Sequence, residues 1–414
     1  MLTSLSRLSL AFHSQTFIVY LLLQANAITM MTVDDFNTYV ASVEASENYH
    51  RPLAYALGLR KKRGDVTLEV FYPHINYESA YGTAAVLQDV TDNRGHENGF
   101  QVISPDQLST ALQKFEAFRN DGKDHPNIDL LSFLSEARSA KESYHDLDVI
   151  VYYLYDKDQP VAGVEEGYFK VQCLSQLLVR PHGINCDGIF GKMHNIAWTN
   201  KGPILPRDLA AQKIKWSYAG EELVVSHVDK FPYMVNFHVP EGVRIVAGSK
   251  VRLGAHLSSG TTVMPAGFVN FNAGTLGNAM IEGRVSAGVV VGENSDIGGG
   301  ASIMGTLSGG NKNVISIGKQ CLLGANAGTG ISLGDGCTVA AGVYITAASK
   351  VSLYDKDKQA INIHGDVVAD GENVVKGMDL NGRDYMLYLL DSVTGKLVGR
   401  PNTKIIALNE KLHA

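Results

Sequence analysis

Residues 285–303 read VSAGVVVGENSDIGGGASI, and in them Val285, Val291, Ile297 and Ile303 return at every sixth position. The same spacing extends outward on both sides. Ile245, Val251, Leu257, Val263 and Val269 precede the stretch; Ile317 and Leu323, then Leu333, Val339, Ile345 and Val351 follow it. A period of six matches neither a helix, at about 3.6, nor a lone strand, at about 2, so it describes units stacked in space. One aliphatic per hexad points inward, and glycine or another small residue turns the chain between short flat strands. Three hexads, about eighteen residues, close one triangular coil. The predicted fold of residues 240–353 is therefore a left-handed parallel β-helix, a hexapeptide-repeat solenoid. A glycine-rich sandwich would alternate with a period of about 2 and turn every 8 to 12 residues or so.

Two interruptions divide the series. Residues 270–284, NFNAGTLGNAMIEGR, stand between the first and second runs, and residues 305–313, GTLSGGNKN, between the second and third. Insertions in a solenoid form loops on one side, where function concentrates, so both segments are expected to be loops that carry chemistry.

The rest of the chain follows other rules. The 414 residues are enough for two or three domains. A net charge of −6 and a pI near 6.1 give no electrostatic footprint for nucleic acid. The basic run Arg60-Lys61-Lys62-Arg63 precedes Gly64-Asp65 and reads as the solvated end of a hairpin. Cys173, Cys186, Cys321 and Cys337 lack any paired spacing and read as reduced thiols of a cytoplasmic protein. His182 and Cys186 in a glycine-rich loop at 180–193, and His194 just after it, lack the further ligands that zinc needs.

Residues 1–30 contain a short apolar run, Phe17 to Leu23, and an Ala25-Asn26-Ala27 resembling a cleavage site. The run is too short to span a bilayer. Met30 or Met31, just before a helix start at Thr32, is the expected true beginning. Residues 31–239 read as an α/β domain. Its helices begin at Thr32, Ser104-Pro105, Ile128 (to Ala140), Val164 (to Leu178) and Pro206; its strands are Val66–Tyr72, Val149–Tyr155 and Leu223–Val228. Residues 354–414 are expected to form a short β cap over the open end of the solenoid.

Residues 267–310, from GFVNFNAG through IEGR to SIMGTLSGG, and residues 315–337, ISIGKQCLLGANAGTGISLGDGC, resemble the tetrahydrodipicolinate N-succinyltransferase family in its longer form. The hexads by themselves support only the hexapeptide acyltransferase superfamily; IEGR and SIMGTLSGG are more specific. The resemblance covers about 243–351 and, more weakly, the tail to IALNEKLHA. It implies transfer of succinyl from succinyl-CoA, a co-substrate, to the amine of L-2-amino-6-oxopimelate, in lysine and diaminopimelate synthesis. It also implies a homotrimer with sites in grooves between neighbouring solenoids, and no permanently bound cofactor.

Acyl transfer from a thioester to an amine needs a proton acceptor, donors for the oxyanion and a groove for the pantetheine arm. Glu282 aligns with the family's catalytic glutamate, as general base or as a nucleophile forming an acyl anhydride. Its plain alternative is a surface ion pair with Arg284. On a strand, Arg284 would face the same side as Glu282 and suit a carboxylate of donor or acceptor. Gly305 could offer its N–H to the oxyanion, or simply make a turn. The resemblance carries coenzyme contacts onto Gly299, Ser302, Ala325, Ala340, Ala341 and Ala348, and in the tail onto Lys376 and Leu389, Leu390, Asp391 and Ser392. The tail departs from the family there, because basic residues are expected where Leu389-Leu390-Asp391 stand. Asn270 and Asn272 flank Phe271 so that both amides could face the groove. Ser249 and Ala266 replace the acidic residues that bind an axial divalent ion in the family, so no metal is expected.

Other functions fit the fold less well. An acetyl-CoA enzyme or one acting on a sugar nucleotide is the nearest rival, and Arg284 favours the succinyl donor. A β-helix zinc hydratase needs several histidines across coils, whereas 245–351 contains only His256. A structural or ice-binding solenoid would have uniform hexads without the two interruptions.

Overall fold

The computed structural model describes residues 31–119, 121–136, 143–307 and 313–404. The expectations for residues 1–30, for 308–312 of the second interruption, for the last turn of the 128–140 helix and for IALNEKLHA lie outside them. The chain forms two compact units.

One unit comprises residues through Pro52, Glu78–His96 and Gln101–Arg138. Its helices are Val33–Glu44, Tyr81–Thr91, Pro105–Lys114 and Pro126–Glu136. Two start where the cap signals place them. Thr32 and Asp35 exchange hydrogen bonds in a capping box, as do Ser104 and Gln107, with Pro105 at the first helical position. Phe36 anchors this unit, its ring 4.9 Å from Phe118 and 5.5 Å from Phe115.

The other unit holds Leu53–Tyr77, Glu97–Phe100 and the described residues from 143 onward. Ala54–Arg63 lies between Val66–Phe71 and Asp146–Leu154, antiparallel to both. The basic run does sit at a hairpin whose end, Arg63 to Asp65, is exposed, but its first three residues are part-buried and ion-paired. Arg60 is bound to Asp148 at 2.5 Å and Glu165 at 3.0 Å, Lys62 also reaches Asp148, and Lys61 pairs with Glu69. Cross-strand neighbours thus neutralise the cluster within the sheet. The expected loop at 180–193 contains a short helix, Ile189–Lys192.

Helix Val164–Ser175 is buried along most of its length, including its polar residues. Burial requires those groups to be paired, and they are. Gln172 accepts from Tyr72 N and donates to Val70 O, and Gln176 donates to Tyr72 O, so glutamine side chains complete the edge of the sheet. Lys170 and Glu166 form an ion pair of 2.9 Å, one turn apart. Lys170 Nζ also donates to Gln159 O, and Glu166 accepts from Asn98 and Ala162 N. At its end Ser175 takes a hydrogen bond from Gly254 N and gives one to Ala255 O, which ties the helix to the first coil.

From Arg244 the chain winds into three parallel sheets. Successive coils pair in register, as Val263 with Ile281 and then Ile297, Leu323 and Val339. The aliphatic series forms the core, and its members from Val251 to Val351 are at most 2% exposed.

Residues 270–284 are not a loop, contrary to expectation. Gly274–Thr275 and Ala279–Ile281 are coil strands, and Thr275 and Ile281 continue the six-residue spacing inward from Val269. The aliphatic rule misses Thr275 because it is polar. It is fully buried and its hydroxyl is bonded to Thr261 Oγ1 at 2.6 Å. The real irregularity is the short step from Ile281 to Val285. Thr329 repeats the device before Leu333; its hydroxyl binds Ile331 O at 2.7 Å.

The second interruption does leave the coil. Thr306 bridges Val314, and Leu307 N donates to Asn313 O, at the base of an excursion. Beyond Ile345 the repeat ends. Val351 is buried, but in strand Lys350–Leu353, which pairs with Leu397–Pro401 and Val374–Lys376 instead of continuing the hexads. The hairpin Met386–Leu390 and Leu397–Pro401 lays Tyr388 beside Val339 and caps the last coil.

Removing one member of the buried pair should be costly. Lys170→Met should lose about 3–5 kcal/mol of stability in urea unfolding, and adding Glu166→Gln should recover part of it. Equal stability of the single variant and wild type would show that the pair carries no such weight.

Candidate functional site

A triangular coil has three corners, and stacking turns each corner into a column. Glu282 lies at the corner between strands Ala279–Ile281 and Arg284–Val285. Its N–H donates to Ile297 O, and its carbonyl accepts from Gly300 N, which fixes it to the next coil. A β-carbon at Gly283 would come within 2.5 Å of Ala301 O, so the tight turn between Glu282 and Arg284 needs glycine.

The same corner collects most of the predicted coenzyme contacts. Gly299 O accepts from Asn326 N, Ala325 O accepts from Gly342 N, and Ala340 N donates to Tyr388 O. Glu282, Gly299, Ala325, Ala340 with Ala341, and Leu389 therefore rise in one column. Glu282 Oε2 lies over Gly299, 3.5 Å from where its β-carbon would be. Ala325 and Ala341 are exposed, so the column presents a shallow strip of small side chains.

At its top the column changes character. Leu390 is exposed, while Asp391 is engaged in its own turn. It accepts from Val393 N, Thr394 Oγ1 and Thr394 N, which holds its carboxyl below the usual range. Ser392 is exposed in the same turn.

Arg284 does not share the side of Glu282, because Gly283 turns the chain between them. It opens the next strand, is exposed, and donates to Ser302 Oγ in the coil above. Among the described residues no ion pair joins it to Glu282, so the plain alternative of a surface pair is not what forms.

Gly305, Ala348 and Lys376 occupy the opposite corner of that face. Gly305 stacks on the preceding coil, its β-carbon position 3.1 Å from Ala287 O. Its carbonyl accepts from Ile315 N, and its N–H has no acceptor among the described residues. Gly377 N donates to Ser349 O and Met378 N to Ala347 O, which brings Lys376 beside Ala348. In one coil, Glu282 and the Ser286–Ala287 step under Gly305 stand at opposite ends of strand Arg284–Val285.

The two asparagines are engaged within the chain. Asn270 Oδ1 accepts from Arg252 Nη1 and Phe271 N, and Asn272, at φ +51°, accepts from His182 N. They brace the first coils. His256 is buried against Val179 O, and burial lowers its pKa. Sequence reasoning missed Gly283 and the glycines at 298, 300 and 328; the signal was the glycine following each inward aliphatic or its neighbour.

The chain is similar to known proteins over most of its length. The family model described as Tetrahydrodipicolinate N-succinyltransferase N-terminal matches residues 34–191, its middle counterpart 193–233, and the hexapeptide repeat of succinyl-transferase 314–347. The 2,3,4,5-tetrahydropyridine-2,6-dicarboxylate N-succinyltransferase of Vibrio cholerae is 45% identical over 87% of this chain and 98% of its own. That of Campylobacter jejuni is 37% identical over 92% and 99%. A solved Campylobacter jejuni structure, described as a 2,3,4,5-tetrahydropyridine-2-carboxylate N-succinyltransferase, superposes with a TM-score of 0.81 at 35% identity, covering 91% of this chain and 99% of that one. With the α/β half and the solenoid both matched, the chain belongs to the tetrahydrodipicolinate N-succinyltransferase family.

Proposed function

We propose that the protein transfers succinyl from succinyl-CoA to the amine of L-2-amino-6-oxopimelate, the ring-opened form of tetrahydrodipicolinate, with Glu282 as the proton acceptor. The observation that carries this reading is the column itself: a carboxylate, Glu282, at the foot of an exposed strip of small residues. The amine nitrogen attacks the thioester carbonyl, a C–N bond forms, and the carbonyl electrons move onto oxygen. Glu282 takes the proton from nitrogen; the C–S bond then breaks and coenzyme A leaves as its thiolate. The N–H of Gly305, without an acceptor among the described residues, suits the oxyanion. Arg284, exposed and held by Ser302, suits the free carboxylate of the succinyl group.

The working unit in this reading is a homotrimer, with each reaction centre between two solenoids. Base and oxyanion donor must both lie about 3 Å from the reacting atoms, and one chain holds Glu282 and Gly305 at opposite corners of a face. A second copy can bring its Gly305 corner to the Glu282 corner of the first. Succinyl-CoA is a co-substrate in this scheme, with no permanently bound cofactor. A cytoplasmic setting agrees with four buried free cysteines, and no described helix is long and apolar enough to cross a membrane.

Thiol release in the presence of tetrahydrodipicolinate tests the reaction. Wild type should release coenzyme A from succinyl-CoA, and Glu282→Gln should lower kcat about 100- to 10,000-fold with KM little changed. Full activity in Glu282→Gln would remove Glu282 from the chemistry, and preference for acetyl-CoA would replace the donor. Arg284→Met should lower kcat/KM for succinyl-CoA about 10- to 100-fold and leave that for acetyl-CoA within about 3-fold; equal losses on both would contradict recognition of the succinyl carboxylate.

A further inference from the structure

The face between the two columns has its own outward row. Phe268, Arg284, Ser302, Gly328 and Tyr344 follow one another in register, each beside a buried inward residue. Four of the five have side chains; Gly328 has none, and Tyr344 uses the space. A β-carbon at Gly328 would lie 2.1 Å from Tyr344 Cε2 and 2.3 Å from Cδ2, so the ring rests flat on the glycine backbone, tipped one coil toward Arg284. The ring is nevertheless 45% exposed. A flat aromatic left open on a face otherwise lined by Phe268, Arg284 and Ser302 is a surface prepared for something apolar.

Its position says what. Arg284, Ser302, Gly328 and Tyr344 occupy four consecutive coils, so Tyr344 stands about 14 Å from the Arg284 level. That is comparable to the reach of a pantetheine arm from its thioester. Past the corner that follows Tyr344, in the next sheet, Lys350 and Lys376 pair with each other and both are exposed. The row thus runs from a guanidinium suited to a carboxylate, through small residues, to an aromatic ring, and two ammonium groups suited to phosphate stand beyond the next corner. We propose that Tyr344, laid flat by Gly328, binds the pantothenate segment of the coenzyme, the methyl-bearing stretch between the thioester arm and the phosphates. The assignment rests on the acyl-CoA reading above. It gives Tyr344 a binding role through its ring face, and gives Gly328 the role of positioning that ring.

Direct binding of free coenzyme A by calorimetry tests this without requiring turnover. Tyr344→Ala should weaken coenzyme A about 5- to 15-fold, and Tyr344→Phe should retain wild-type affinity because the ring face is kept. Gly328→Ala, which lifts an exposed ring at little cost to the coil, should weaken it similarly. The adenosine bisphosphate fragment of the coenzyme should bind wild type and Tyr344→Ala alike. Unchanged coenzyme affinity in Tyr344→Ala, equal weakening of the fragment, or loss of the wild-type oligomer size would each overturn the proposal, as would a wild type that binds no coenzyme A. A wild type that binds coenzyme A through Tyr344 but transfers no succinyl group would leave the proposal standing and sink the reaction assigned above.

Discussion

Every feature of the solenoid depends on the parallel hydrogen-bond ladder between one coil and the next. Each short strand has only two or three residues, too few to be stable alone, so order comes from stacking. The ladder fixes the register, and the register fixes which residues share a column. It tolerates changes of coil length only at corners. The chain shortens at Ile281–Val285 and Thr329–Leu333 and lengthens between Ile303 and Ile317, yet Ile303 still pairs with Thr329 and Ile297 with Leu323. Glu282 and Gly305 stand at two of these corners. The chemistry proposed for them thus sits where the repeat can vary without breaking the ladder.

A ladder of this kind must be closed at both ends, since an open end would offer unpaired strands to other chains. At the start, Leu253 N donates to Pro232 O and Met234 N to Val251 O, while the buried helix Val164–Ser175 covers the first coil through Ser175. At the finish, Asp384 and Asn381 side chains accept from Asp335 N and Ser332 N, and Asn402 donates to Gly336 O. The tail substitutes for a next coil, group by group. This also explains why the predicted coenzyme residues Leu389 and Leu390 continue a column begun by Glu282, although they lie over a hundred residues further along the chain.

The solenoid was legible because its core obeys a spacing that a short window reveals. What escaped was polar. Thr275 and Thr329 fill inward positions with hydroxyls bonded locally, so a rule counting aliphatics sees gaps and reports a loop where a coil exists. The facing of Glu282 and Arg284 was misread because alternation assumes a continuous strand, and Gly283 ends it. Arg60 was misread for a different reason: its partners Asp148 and Glu165 are distant in sequence, so a run of charge looks solvated until the sheet is assembled. Local signals at Thr32 and Ser104 were sufficient, since a capping box is complete within four residues. The α/β half offered no repeat to read, and its kinship emerged only from comparison.

The central claim is that one reaction centre takes Glu282 from one copy and Gly305 from another. Mixing separately inactive chains tests it most directly. Glu282→Gln and Gly305→Pro proteins, which lack the base and the donor N–H respectively, are unfolded together, refolded, and assayed for succinyl transfer. The account predicts that each alone is nearly inactive and that the mixture recovers a substantial fraction of wild-type activity, because mixed trimers contain interfaces with both groups intact. Mixed trimers that form and remain inactive would contradict it, placing both groups in a site within one chain.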